Sequence, residues 1–86
     1  MLEVFLMSTI LVIDPRKVRE ARGARTQEEI AEAGGYKFSA QQLSGWEKGK
    51  FRPRPENLPA LLTALGVEFE QVASPLGAVE SQAVPA

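Results

Sequence analysis

The sequence predicts an all-α domain of five short helices, with one short N-terminal β-strand ahead of them and a flexible C-terminal tail behind. Three observations carry that expectation. Helix starts recur as a capping residue followed by its partner, in Asp14-Pro15, Thr26 with Glu29, and Ser39 with Gln42. Glycines follow each run at Gly23, Gly34-Gly35, Gly49 and Gly66, where a left-handed turn can end a helix. Leu58, Leu61, Leu62 and Leu65 recur at helical spacing.

Taken in order, residues 1–13 hold ten apolar and three polar side chains, and the β-branched run Thr9-Ile10-Leu11-Val12-Ile13 favours a strand. Asp14 then caps a first helix that runs to about Arg22, with Pro15 at the position where a missing N–H costs nothing. Thr26 starts the second, which turns Ile30 and Ala31 inward. The third helix, Ser39–Lys48, carries Leu43 and Trp46 inward before Gly49 stops it. Lys50-Phe51-Arg52-Pro53-Arg54-Pro55 is a basic loop, because each proline holds the residue before it extended. The leucine-rich helix tolerates Pro59 in its first turn, and a last helix from about Glu68 to Ala73 brings Phe69 and Val72 onto the core. Ser74 to Ala86 has one charge, prolines at 75 and 85 and no periodicity, the pattern of a flexible tail. The chain thus divides into an apolar arm at 1–13, a helical domain at 14–73 and a tail at 74–86.

With 86 residues there is room for one domain, and 44% apolar with 24% charged residues is the balance of a globular protein. Cysteine and histidine are absent, which excludes disulfides, zinc sites built on thiolate and imidazole, and nucleophilic dyads or triads that need either residue. Glu28, Glu29 and Glu32 fall in the first turns of a helix, where acids favour the macrodipole, and no metal site or cofactor is expected. The apolar opening is shorter than the roughly 20 residues of a membrane helix. Glu3 stands where a signal peptide would be positive, and a cytoplasmic protein is expected. The net charge of −1 is unevenly spread: all ten Lys and Arg lie between Arg16 and Arg54, and residues 14–57 carry ten bases against seven acids, a balance of +3. A basic middle between acidic ends can attract phosphate although the whole chain is acidic.

Two short helices around a glycine turn, then a basic loop and a leucine-rich helix, make the layout of a helix-turn-helix DNA reader. The residues that carry it are Thr26-Gln27-Glu28-Glu29-Ile30-Ala31-Glu32, Leu43-Ser44-Gly45-Trp46-Glu47-Lys48-Gly49-Lys50, Arg52-Pro53-Arg54-Pro55-Glu56-Asn57-Leu58 and Ala64-Leu65-Gly66-Val67. Over about residues 15–72 the chain resembles the Cro/phage-repressor type of helix-turn-helix, the XRE family. The resemblance implies a five-helix lambda-repressor-like domain that binds operator DNA as a dimer. The chain departs from the family pattern in having both Ala24 and Arg25 between Gly23 and Thr26. It also has two additional residues between Ala31 and Trp46, which enlarge the turn Gly34-Gly35-Tyr36-Lys37.

At about 100° per residue Leu43, Trp46 and Glu47 share one side of the third helix, and Gln41, Gly45 and Lys48 share the other. A glutamine on that far side can pair with adenine N6 and N7 in the major groove. The resemblance places base contacts at Ala40, Gln41 and Gly45, with Ala40 against a thymine methyl and Gln42 on the flank. The plainer account of Gln41 and Gln42 is a solvated helix face with Gln42 as a cap. Gly45 inside a helix costs about 1 kcal/mol relative to alanine, so either DNA comes close there or Trp46 needs room. The resemblance also puts Gln27 and Ser39 at phosphates, and Lys48, Lys50, Arg52 and Arg54 line the loop as a phosphate clamp or as ordinary surface charge. Glu47 faces inward and needs a partner, and the family pattern pairs it with Arg19.

An all-helical domain offers no sheet edge to Thr9, Ile10, Leu11, Val12 and Ile13. The strand is therefore expected to pair with a second copy as an antiparallel ribbon, giving the twofold axis of a palindromic operator. The alternatives are that residues 1–13 fold back over the helices, or that translation starts at Met7. The leading expectation is a homodimeric, sequence-specific regulator of double-stranded DNA, a repressor without a catalytic step or membrane association. The competing readings are an antitoxin or adaptor that masks a partner such as a toxin and regulates its own gene, and a protein-binding domain on a degenerate helix-turn-helix.

Overall fold

The computed structural model describes residues 10–80. Residues 1–9, which include Thr9 of the expected strand, and the last six residues of the chain lie outside the described residues. The described residues begin with β1 (Leu11–Ile13), followed by α1 (Pro15–Arg22), α2 (Gln27–Ala33) and α3 (Ala40–Glu47). A 3₁₀ turn at Pro55–Asn57 leads into α4 (Leu58–Leu65), and a second at Phe69–Gln71 leads into β2 (Ala73–Pro75) and α5 (Leu76–Glu80).

Local chemistry sets the helix starts. Asp14 accepts the Arg16 N–H at 3.0 Å ahead of α1. Thr26 Oγ1 accepts the Glu29 N–H at 3.0 Å while Glu29 Oε1 accepts the Thr26 N–H at 2.7 Å. Ser39 and Gln42 repeat the exchange ahead of α3, at 3.0 and 2.8 Å. Each pair satisfies two amides that the helix itself leaves open. Helices α1 to α4 enclose a core of Val18, Ile30, Leu43, Trp46 and Leu61, and Ile13 and Val72 belong to the same cluster.

The enlarged turn between α2 and α3 is closed by bonds from the Tyr36 N–H to Ala31 O at 2.9 Å and from the Gly35 N–H to Glu32 O at 2.9 Å. Its length delivers Phe38, 2% exposed, onto Trp46 with ring centroids 5.2 Å apart and planes tilted by 50°. Gly34 makes room for that ring, since a Cβ there would stand 2.7 Å from Phe38 Cε1.

Two sequence expectations are corrected at the C-terminal end. The helix expected over Glu68–Ala73 is a single 3₁₀ turn, because Val72 must enter the core and the backbone must then extend into β2. Residues 74–80 of the expected tail are a strand and a helix, with Ser74 and Val79 buried. The expected sheet partner changes with them. β1 pairs antiparallel with β2 of its own chain, in the register Leu11 to Pro75, Val12 to Ser74 and Ile13 to Ala73, so the premise of a partnerless strand fails. Pro75 is tolerated because a strand with one open edge does not need every N–H. The Ser74 hydroxyl donates to Asp14 Oδ2 at 2.7 Å in the interior, and the Lys17 ammonium donates to Ala73 O at 3.0 Å, tying β2 to the start of α1.

Candidate nucleic-acid interface

The orientation of α3 follows from its apolar pair. Leu43 is fully buried and Trp46 is 2% exposed, so rotation about the helix axis is set and the opposite side faces outward. On that side Gln41 and Gln42 are exposed, Ala40 and Ser44 are half-buried, and Lys48 is exposed just past the last turn. Gln42 uses its Oε1 in the capping exchange and keeps its amide N–H groups as donors. The Ser39 hydroxyl is engaged as acceptor in the same exchange, which leaves its proton to donate to an oxygen outside the protein.

Past α3 the chain reverses at Gly49, whose φ of 75° lies in the left-handed region. The Gly49 N–H donates to Trp46 O at 3.2 Å and the Lys50 N–H to Gly45 O at 3.0 Å. Lys50, Arg52 and Arg54 follow on the exposed loop, so with Lys48 four cations fall within seven residues, and Lys48 and Lys50 border the outward side of α3. Between them runs a shallow concavity of about 420 Å³ bordered by Gln41, Gln42, Ser44, Lys48, Lys50 and Phe51. Amide donors and acceptors at one end and cations at the other suit a polyanion that also displays base edges.

Gly45, expected as a base contact, is instead buried by Phe51. A Cβ at this position would stand 2.3 Å from Phe51 Cζ and 2.6 Å from Cε1, far inside contact distance. The glycine is there because an aromatic ring folds back onto the helix; the two reasons offered by the sequence, close DNA or room for Trp46, are both replaced by this one. Phe51 is the residue that sequence reasoning missed. An interior glycine signals a close neighbour, and the first aromatic after the helix stop was the candidate.

Glu47, 4% exposed, is paired as expected but with Arg22 and not with Arg19. Arg22 Nε donates to Oε2 at 2.7 Å and Nη2 to Oε1 at 2.9 Å, a two-pronged pair. The hydrogen bond with Glu47 is the main cause that raises the Arg22 pKa above its ordinary value; burial opposes it and the carboxylate charge adds to it. Arg19 lies one turn earlier on the same side of α1, is exposed, and reaches only the Glu47 carbonyl at 3.4 Å. Both arginines thus reach the end of α3, Arg22 at the Glu47 carboxylate and Arg19 at the Glu47 main chain. Gln27, expected at a phosphate, donates its amide to Glu47 Oε1 at 3.2 Å and thereby joins α2 to the same network.

Of the residues expected at a dimer interface, Ile10 and Leu11 are 59% and 46% exposed, Val12 is half-buried and Ile13 is 6% exposed. The sheet has only β1 and β2 among the described residues, so the far edge of β1 has no strand beside it. No helix among the described residues is long and apolar enough to cross a membrane.

The helix-turn-helix family model HTH_3 matches residues 16–72, the span from the start of α1 to the residue before β2. No curated protein and no solved structure gives a significant match. The match covers well over half of the chain and every element around α3. On that basis the chain belongs to the XRE/Cro-type helix-turn-helix family and is a DNA-binding transcriptional regulator.

Proposed function

We propose that this protein is a repressor that acts as a homodimer, setting α3 into the major groove of each half of a palindromic operator and regulating by occupancy alone. The observation that carries the reading is the rotation of α3, which buries Leu43 and Trp46 and leaves Gln41 and Gln42 exposed together at its first turn. Gln41 is the base reader, paired with an adenine, and Gln42 and Ala40 contact the flanking pair. Ser39, Lys48, Lys50, Arg52 and Arg54 hold the phosphates, which set register without reading sequence.

The open edge of β1, with Ile10 and Leu11 beside it, supports a twofold contact in which β1 pairs with β1 of a second copy and extends the two-stranded sheet to four. The same edge fits a heterologous partner in the antitoxin or adaptor reading. Leu11→Lys separates these: light scattering should report loss of the dimer with the fold intact, whereas an unchanged dimer refutes the β1 contact. A stoichiometric protein that co-purifies with the wild type and is lost with Leu11→Lys would favour the adaptor.

The principal test is selection of bound duplexes from a random pool at fixed salt, followed by binding to the selected site across a salt series. Two half-sites about 34 Å apart are expected. Replacing Gln41 with alanine should relax one position per half-site and weaken binding there by about 1–3 kcal/mol. Four clamped phosphates per protomer give a slope of log K against log salt near −7 for the dimer. Recovery of no common sequence, or a flat salt response, refutes the reading.

A further inference from the structure

We infer that Phe51 is a base-reading residue, its ring standing in place of the side chain that α3 lacks at position 45 and offering an apolar surface to a thymine methyl group. The inference rests on the reading of α3 as the recognition helix and adds to it a specificity that comes from the loop.

Three observations lead there. The ring lies where a residue-45 side chain would begin, with Cζ and Cε1 2.3 and 2.6 Å from the Cβ position. A side chain at 45 would share the outward side of the helix with Gln41, one turn earlier. The main chain just ahead of the ring is tied to the helix, with the Lys50 N–H donating to Gly45 O at 3.0 Å. Finally, Phe51 keeps 50% of its surface exposed and stands between two concavities, one bordered by Gln41, Gln42, Lys48 and Lys50 on the outward side of α3 and one bordered by Pro15, Trp46 and Pro53. A phenyl ring forms no hydrogen bond to a phosphate, and Lys48 and Lys50 beside it already supply that chemistry. What the major groove offers an apolar surface is the C5 methyl of thymine.

The test uses the full chain and the duplex selected by the wild type. Each thymine of a half-site is replaced in turn by deoxyuridine, which removes the methyl group and leaves the Watson–Crick edge unchanged. For the wild type, one position per half-site should weaken binding by about fourfold, the worth of one buried methyl-sized group. In Phe51→Ala the same replacement should have no effect, while replacements elsewhere keep theirs. Gly45→Ala is the second variant, which favours the helix and pushes the ring off its seat, so it should lose the same methyl dependence even if Phe51→Ala does not fold. A methyl dependence at that position that survives in the folded variants, or one that is absent at every thymine of the wild-type site, overturns the inference about Phe51 alone. Failure of the wild type to select any sequence removes the recognition-helix reading, and this inference goes with it.

Discussion

Arg22→Ala should be the most damaging arginine substitution on α1, and Arg19→Ala should be nearly silent. In the first case Glu47, 4% exposed, loses both prongs of its ion pair and keeps the single Gln27 amide at 3.2 Å. Breaking a buried pair by removing one partner costs about 3–5 kcal/mol, because the other charge stays in a low-dielectric site. The Arg22 side chain is 19% exposed, so water reaches the vacated space and the lower end of that range, about 3 kcal/mol, is expected. In the second case one long, part-buried bond of 3.4 Å to a carbonyl is lost, which costs under about 1 kcal/mol. A chain of this length has a total stability of roughly 4–13 kcal/mol, so the first loss is a large share and the second a small one. Urea unfolding followed by Trp46 fluorescence and by circular dichroism measures both, with unchanged m values as the check that the unfolded states are alike. Arg22→Ala combined with Glu47→Gln should cost much less than the sum of the two, since Glu47→Gln removes the buried charge that Arg22→Ala leaves unpaired. If Arg19→Ala costs as much as Arg22→Ala, the carboxylate is paired as the family pattern has it, and the assignment made from the structure is wrong.

Three further outcomes are expected. Ser74→Ala removes the hydroxyl that donates to Asp14 Oδ2 at 2.7 Å in the interior, so stability should fall by about 1–3 kcal/mol. Amide exchange at Asp14, whose N–H donates to Val72 O at 2.7 Å, should accelerate with it, and unaltered exchange would mean that β2 is held by other contacts. Gly34→Ala drives a Cβ to 2.7 Å from Phe38 Cε1 and 3.4 Å from Ala60 O; thermal unfolding should show a loss of about 1–3 kcal/mol, and no loss would show that the Phe38 ring moves freely. Lys50→Ala should weaken operator binding similarly across sequences and make the salt slope shallower by about 1 per protomer, whereas a sequence-dependent effect would place Lys50 at a base edge.

The helix starts were legible because each is decided within four residues: Asp14-Pro15, Thr26 with Glu29, and Ser39 with Gln42 satisfy their own amides whatever packs around them. The inward side of α3 was legible for a related reason, since Leu43 and Trp46 three residues apart leave one rotation that buries both. The partner of β1 was not, because Ala73-Ser74-Pro75 has no strand preference of its own and is extended only by pairing with Leu11–Ile13. Arg19 and Arg22 are equivalent by helical spacing, and only the position of α1 against α3 distinguishes them. Gly45 was marked as a place of close approach, but the identity of the approaching group depends on a loop that reverses at Gly49 and returns Phe51 to the helix. Local chemistry is printed in the sequence near the residue it governs; long-range register is not.

A longer turn between α2 and α3 loosens the geometric relation that a helix-turn-helix depends on, because each added residue widens the set of angles the two helices can adopt. The structure answers this at both ends of α3. At its start Phe38, carried by the longer turn itself, stacks on Trp46 and converts added length into buried aromatic area. At its end Glu47 receives Arg22 from α1 and Gln27 from α2, so one carboxylate anchors all three helices at a point remote from the turn. Gln27 is engaged inside the protein here, and its amide holds α2 against α3 through Glu47. It follows that Gln27→Ala should weaken operator binding mainly by freeing the angle of α3. Isothermal titration should then show a less favourable binding entropy with the salt slope unchanged, whereas a slope shallower by about 1 per protomer would return Gln27 to the phosphates.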